Sequence, residues 1–185
     1  FNTATLAANN YVVYMNGTDY TRFQNMTMTN TNTGIGSYII WQLNNSRFNT
    51  FQNIIFNGSN TGSMSSNYSI IYANNTIPGQ LNQGDDNNTI NQCTFNNGSF
   101  GIYYNSSYGS YYTYNTTIIN NTFLQQSAYA TYLYFHVNFN FSSNTITTST
   151  PNTFNGLYVY NGGAQANSPS QFTIISKNNI NIANN

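Results

Sequence analysis

Charge is what this chain has least of. Only six of its 185 residues are charged: Asp19, Asp85, Asp86, Arg22, Arg47 and Lys177. Glutamate is absent and His136 is the single histidine. Charged residues make up 3% of the sequence, against roughly 25% in an ordinary soluble domain. Zero net charge with three bases leaves no electrostatic footprint for nucleic acid or an anionic membrane. Neither partner is expected. Cys93 stands alone, which excludes an internal disulfide framework and a cysteine-based zinc site. A second histidine is also missing, so no His-based metal cluster can form. No apolar run approaches the ~20 residues of a membrane helix, and membrane insertion is not expected. The chain opens on Phe1 without Met or a signal peptide, which reads as a processed or internal piece of a longer precursor.

What is present is amide, hydroxyl and aromatic. Asparagine accounts for 38 residues, and Ser plus Thr for 42. Aromatics are 17% of the chain. Strong helix formers are scarce while β-formers abound, so the chain reads as all-β. Plain disorder is disfavoured, because disordered chains carry high net charge and few aromatics.

The apolar residues recur at fixed offsets. One unit places residues of interest at positions one, four and six. It appears as Phe23-Met26-Met28, Phe51-Ile54-Phe56, Ile90-Cys93-Phe95 and Ile118-Asn121-Phe123. Phe141-Asn144-Ile146 and Ile175-Asn178-Ile180 complete the set. From Phe23 to Ile175 the mean period is about 30 residues, with single steps of 23 to 39. A second unit falls between these copies, an aliphatic residue followed by an aromatic one. Its copies are Val13-Tyr14, Ile40-Trp41, Ile71-Tyr72, Ile102-Tyr103, Leu133-Tyr134 and Leu157-Tyr158. Asn, Gly, Ser and Thr clusters separate the units and read as turns. Surface insertions are expected at about 57–69, 74–87, 104–115, 147–155 and 161–172.

Each repeat thus holds short strands that cannot bury their apolar face alone. Stacking copies gives one continuous core, the logic of a solenoid. The segments NNTINQCTFNNGSFGIYYN and NTTIINNTFLQQSAYATYLYF resemble repeats of right-handed parallel β-helix proteins with the pectate-lyase-like superfold. NGTDYTRFQNMTMTNTNTG and NNSRFNTFQNIIFNGSN resemble repeats of large secreted and cell-surface bacterial β-helix proteins, particularly those of Bacteroidetes. The resemblance covers residues 11–182. It implies a single right-handed parallel β-helix of about six rungs over residues 1–185, with variable Asn/Gly/Ser-rich loops and no clear end caps. It is specific for fold and weak for function, since one fold hosts many activities.

In such a stack equivalent residues sit ~4.8 Å apart and like side chains form ladders. The core ladders are expected from Phe23, Phe51, Ile90, Ile118, Phe141 and Ile175, and from the middle row Met26, Ile54, Cys93, Asn121, Asn144 and Asn178. The middle row changes from apolar to amide after Cys93. Stacked amides can satisfy one another and the turn backbone, so Asn121, Asn144 and Asn178 are expected inside. Cys93 reads as a small buried hydrophobe.

Little chemistry remains. The polysaccharide lyases and hydrolases of the resembled fold imply clustered acidic groups. Here the one acidic pair is Asp85-Asp86, whose adjacent side chains would point to opposite faces of a strand. A solvated turn is the expected setting, with weak Ca²⁺ binding an alternative. His136 is expected to be hydrogen-bonded or exposed. No catalytic residue, metal site or cofactor is assigned.

The aromatic unit is more informative. Period two turns Tyr14, Trp41, Tyr72, Tyr103, Tyr134 and Tyr158 outward in one stripe. Such a stripe can be covered by the chain's own loops, form a subunit interface or stack sugars. Twelve Asn-x-Ser/Thr sequons are present, among them Asn16, Asn57, Asn97 and Asn115, and glycosylation would supply hydration that charge does not. A neutral surface and uncapped strands favour self-association. The expected role is a non-enzymatic extracellular or cell-surface protein: a β-helical subunit or segment of a filament, fibre or adhesin stalk. Its partner would be itself. The alternatives are a carbohydrate-binding module using the aromatic stripe and a polysaccharide lyase or hydrolase.

Overall fold

The computed structural model describes residues 10–74, 85–106, 112–149, 154–160 and 172–183. These residues form an all-β structure of parallel sheets, with one 3-10 turn at Ser66–Tyr68. The first repeat supplies β1 (Asn10–Asn16) and β2 (Arg22–Thr29), and the second supplies β3 (Ser37–Leu43) and β4 (Thr50–Asn57). The third holds β5 (Ile71–Asn74), β6 (Thr89–Asn91) and β7 (Thr94–Asn96). The fourth holds β8 (Phe100–Asn105), β9 (Thr113–Tyr114), β10 (Thr117–Ile119) and β11 (Thr122–Leu124). The fifth holds β12 (Tyr129–Tyr134), β13 (His136–Val137), β14 (Asn140–Ser142) and β15 (Thr145–Thr148). The sixth holds β16 (Asn155–Tyr160), β17 (Ile174–Ser176) and β18 (Asn179–Ile182).

One sheet runs β1-β3-β5-β8-β12-β16, one strand per repeat in sequence order. A ten-stranded sheet takes the remaining long strands, and β9 pairs with β13. Every pairing is parallel. The ten-stranded sheet is two ladders joined at one end. The first half of β4 pairs with β6 and its second half with β7. At the joint the backbone enters the left-handed region, at Asn25, Asn53, Gln92, Asn120, Ser143 and Lys177 with φ of 52–56°. Among the described residues, nine of the sixteen non-glycine positions with positive φ are asparagines. Asparagine tolerates that conformation better than most L-residues, which is one physical reason for its abundance here.

The register is that of the sequence period. Phe23 pairs with Phe51, Phe51 with Ile90, Ile90 with Ile118, Ile118 with Phe141 and Phe141 with Ile175. A second row runs Met28, Phe56, Phe95, Phe123, Ile146 and Ile180. Its rings stack, with Phe56–Phe95 centroids 5.0 Å apart and Phe95–Phe123 4.7 Å apart. The inner face of the first sheet adds Val13, Ile40, Ile71, Ile102, Thr131 and Leu157.

Between the two halves of the joined sheet lies an amide ladder. The Oδ1 atoms of Asn121, Asn144 and Asn178 accept from the backbone N–H of Cys93, Asn121 and Asn144 at 2.8–3.0 Å. Each Nδ2 donates to the carbonyl of Ile90, Ile118 or Phe141 at 2.9–3.0 Å. Asn121 and Asn144 are 1% exposed, yet both polar ends are satisfied. Cys93 is buried in the same row, its thiol 3.5 Å from the Phe51 carbonyl, and burial raises its pKa to about 11.

Two members of the expected core ladder are not buried. Met26 is 41% exposed and Ile175 is 57% exposed. They keep their row positions, but they belong to the first and last repeats, where one side of the stack has no neighbouring repeat among the described residues. Phe23 and Asn178 are half-buried for the same reason. The expected insertion at 104–115 is also corrected. Tyr104 and Asn105 complete β8, and Thr113 and Tyr114 form β9. Residues 75–84, 107–111, 150–153 and 161–171 of the expected insertions lie outside the described residues.

Two substitutions test this core. Asn144→Leu orphans the Asn121 N–H and the Ile118 carbonyl. A loss of roughly 1–3 kcal/mol per orphaned group is expected in chemical denaturation; an unchanged midpoint would remove the ladder's energetic role. Thr131 is buried in the apolar row, and its hydroxyl has no hydrogen-bond partner among the described residues. Thr131→Val keeps the shape and removes that group, so the denaturation midpoint rises.

Candidate functional site

The outer face of the first sheet carries a row of aromatic side chains, one from each repeat. The register aligns Tyr14, Trp41, Tyr72, Tyr103, Tyr132 and Tyr158. Tyr132, not Tyr134, occupies the stripe in the fifth repeat. Both residues point outward, because a two-residue slip conserves the face, so alternation alone does not separate them. The inward partner there is Thr131 rather than Leu133. Tyr134 instead pairs with Asn105 on one side and Tyr160 on the other, with the Tyr134 and Tyr160 rings 4.7 Å apart.

A second aromatic column lies beside the first and was not anticipated. Tyr11 pairs with Tyr38, and Phe100 with Tyr129. Tyr38 stacks on Tyr72 at 4.3 Å, and Phe100 meets Tyr103 edge-on at 5.2 Å. Residues three apart normally face opposite sides of a strand. Here the register steps from Tyr11–Tyr38 to Val13–Ile40, past Val12 and Ile39. At that step Ile39 and Ile40 both donate to the Ile70 carbonyl, as in a bulge that re-aims the following residues. Gly101 occupies the same step, where a Cβ would stand 2.6 Å from the Ala130 carbonyl oxygen. The signal was present as aromatic-x-x-aromatic: Tyr11/Tyr14, Tyr38/Trp41, Phe100/Tyr103 and Tyr129/Tyr132. The same spacing selects Tyr132 over Tyr134.

Ring orientation decides what this face offers. Tyr72–Tyr103, Tyr103–Tyr132 and Tyr132–Tyr158 have centroids 5.2, 5.0 and 4.9 Å apart and interplanar angles of 7–10°. The ring faces are therefore spent on one another. Edges and hydroxyls are what these four present outward. Asn74 Nδ2 donates to the Tyr72 hydroxyl at 2.9 Å. Burial, followed by neighbouring tyrosines, raises the pKa of Tyr38 and Tyr132, and burial raises that of Tyr103. Tyr38, Tyr103 and Tyr132 therefore stay neutral well above physiological pH.

Arg47 and Asp19, on neighbouring repeats, form an ion pair. Asp19 Oδ1 accepts from the Arg47 N–H at 2.8 Å, and Arg47 Nη2 reaches Asp19 Oδ2 at 3.1 Å. Asp86 Oδ1 accepts from the Tyr114 N–H at 2.7 Å. Burial lifts the Asp86 pKa to about 6, against the pull of that hydrogen bond and of Arg47. The solvated turn expected at Asp85-Asp86 is corrected: Asp85 is buried, and its Oδ1 accepts from the Ser46 N–H at 2.8 Å. Beside it Asn49 and Asn88 form a second interior amide pair, with Asn88 Oδ1 accepting from the Asn49 N–H at 2.8 Å. His136 is fully buried against the Tyr104 ring, 5.6 Å between centroids. Desolvation holds its pKa at about 3. Among the described residues no group of three His, Cys, Asp or Glu side chains could hold a metal ion.

No family model, no curated protein and no solved structure matches the chain.

The two shifted groups oppose each other in acid. Unfolded His136 takes a proton below about 6.5 and native His136 only near 3, so its stabilising contribution is full above that range and falls on acidification. Asp86 binds its proton more tightly in the native state, which adds stability as pH falls from about 6 toward 3.8. In urea titrations from pH 7 to pH 4, His136→Phe should lose less stability than wild type and Asp86→Asn should lose more. Parallel profiles would show that neither group titrates as placed.

Proposed function

We propose that the six repeats wind as a right-handed parallel β-helix that serves as a non-enzymatic structural segment of an extracellular or cell-surface filament, fibre or adhesin stalk. The observation that carries this reading is the parallel register that takes the rows begun by Val13, Phe23 and Met28 through all six repeats. A stack held by axial backbone bonds and buried amide ladders resists bending and extension, and it can be lengthened without changing its cross-section. Six coils at ~4.8 Å per coil make a rod about 30 Å long. The sequons and the resemblance to secreted repeats support an extracellular setting.

Two features weigh against the other readings. The carboxylates of Asp19, Asp85 and Asp86 all accept backbone N–H bonds from a neighbouring repeat, which is structural service rather than acid/base work. Sugar stacking needs open ring faces, and the central tyrosines have covered theirs with one another.

Cryo-electron microscopy of the secreted material is the test. Slender rods with a layer spacing of about 4.8 Å are expected. Compact particles without that spacing would refute the proposal.

A further inference from the structure

The tyrosines of the outer face carry a reactivity that a purely structural role leaves unused. Tyr72, Tyr103, Tyr132 and Tyr158 come from successive repeats and stack at 4.9–5.2 Å with interplanar angles of 7–10°. Tyr103 and Tyr132 are the best-held pair. Phe100 meets both rings edge-on, and Tyr129 meets Tyr132 edge-on at 5.4 Å. Both side chains are half-buried, with their hydroxyl edges outward. The third and sixth repeats flank the pair, so the contact owes nothing to an end of the stack.

We propose that Tyr103 and Tyr132 form a site of oxidative cross-linking. A one-electron oxidant of the haem-peroxidase class, fed with hydrogen peroxide, joins the fourth and fifth repeats there through a dityrosine bond. Each phenol gives one electron to the oxidised haem and one proton to water. The unpaired electron left behind is shared between the phenolic oxygen and the ring carbons ortho and para to it. A C–C bond then forms between one ortho carbon of each ring. The hydrogens on those carbons leave as protons while the oxygens take protons back, and both rings become aromatic again. The two electrons and two protons lost overall convert one hydrogen peroxide to two waters.

Stacking favours the coupling step. The orbitals that carry the unpaired electron stand perpendicular to the ring, so rings lying face to face present them to one another. The parallel pairing of Tyr103 with Tyr132 sets equivalent ring atoms opposite each other. The new bond lies in the plane of both rings, so the joined pair pivots out of the stack, and the outward edge gives room for that. A radical formed elsewhere in the column reaches the pair by exchanging an electron and a proton with the ring it touches. Asn105 Nδ2 donates to the Tyr103 oxygen at 3.4 Å, which leaves the phenolic proton to depart to solvent. Cys93, whose thiol would otherwise intercept radicals, is 1% exposed. The bond closes a loop between distant parts of the chain and, like a disulfide, constrains the unfolded state.

A haem peroxidase and hydrogen peroxide, added to the full chain in dilute solution, test the site. The expected product has the mass of one chain less a pair of hydrogens per link and shows dityrosine fluorescence. Peptide mapping should join Tyr103 to Tyr132. Tyr72→Phe combined with Tyr158→Phe should keep that link, because the central pair still touches. Tyr103→Phe keeps the ring and its stacking but separates Tyr72 from Tyr132, so no link between those two should form. Circular dichroism checks that the variants stay folded. Tyr20 is 76% exposed and stacks on Phe48 rather than on a tyrosine. It should stay unlinked within a chain, since contact and not exposure selects the site. The proposal is overturned if oxidation links only separate chains, or if the links within a chain avoid Tyr103 and Tyr132. It is also overturned if Tyr20 is linked within a chain as readily as they are, or if Tyr72 and Tyr132 become joined in Tyr103→Phe. Rods seen by microscopy in material that yields no dityrosine on oxidation would sink this inference and leave the structural reading standing.

Discussion

In-register parallel pairing is the constraint on which everything else depends. It sets each residue of one repeat directly against its equivalent in the next. A residue type that stacks well on itself is thereby rewarded at every step, and one that does not is excluded. Phenylalanine and isoleucine meet that condition by dispersion and burial. Tyrosine meets it by ring stacking. Asparagine meets it because its amide is donor and acceptor at once, so Asn144 passes hydrogen bonds on while leaving no buried polar atom unpaired. A lone buried asparagine would cost stability; a column of them does not.

The same constraint explains the near absence of charge. Like charges one repeat apart would sit ~4.8 Å from one another and repel, so charged columns are unfavourable. The few charged groups present alternate in sign or stand singly. Arg47 follows Asp19 in one row, and each aspartate caps a backbone N–H of the neighbouring repeat. Hydration falls instead to amides and hydroxyls. The exposed Asn115 amide donates to Asn87 and accepts from Asn138, extending the ladder principle to the surface.

A stack of this kind has no intrinsic length. Each repeat buries its neighbour's apolar face and leaves its own to be buried. The first and last repeats therefore inherit exposed core positions that no local feature of their sequence distinguishes. Met26 and Ile175 occupy core rows by every sequence criterion, and only their place in the stack makes them surface.

Much of this was legible along the chain. The period of about 30 residues, the all-β character, the apolar rows and the interior amides at Asn121 and Asn144 follow from residue type and spacing. Offsets within a repeat are local, and the stack only copies them. Register on the aromatic face was not legible by alternation, because Tyr132 and Tyr134 share a face and a bulge brings Tyr38 and Phe100 onto it. Burial of Asp85 and His136 was equally hidden, since it depends on what neighbouring repeats place around them. The sequence by itself determined which residues could stack, because that depends on each side chain's own chemistry. Which ones meet, and which are left at an end, was decided only by the tertiary structure, because contact between repeats is fixed by register across tens of residues rather than by neighbours in the chain.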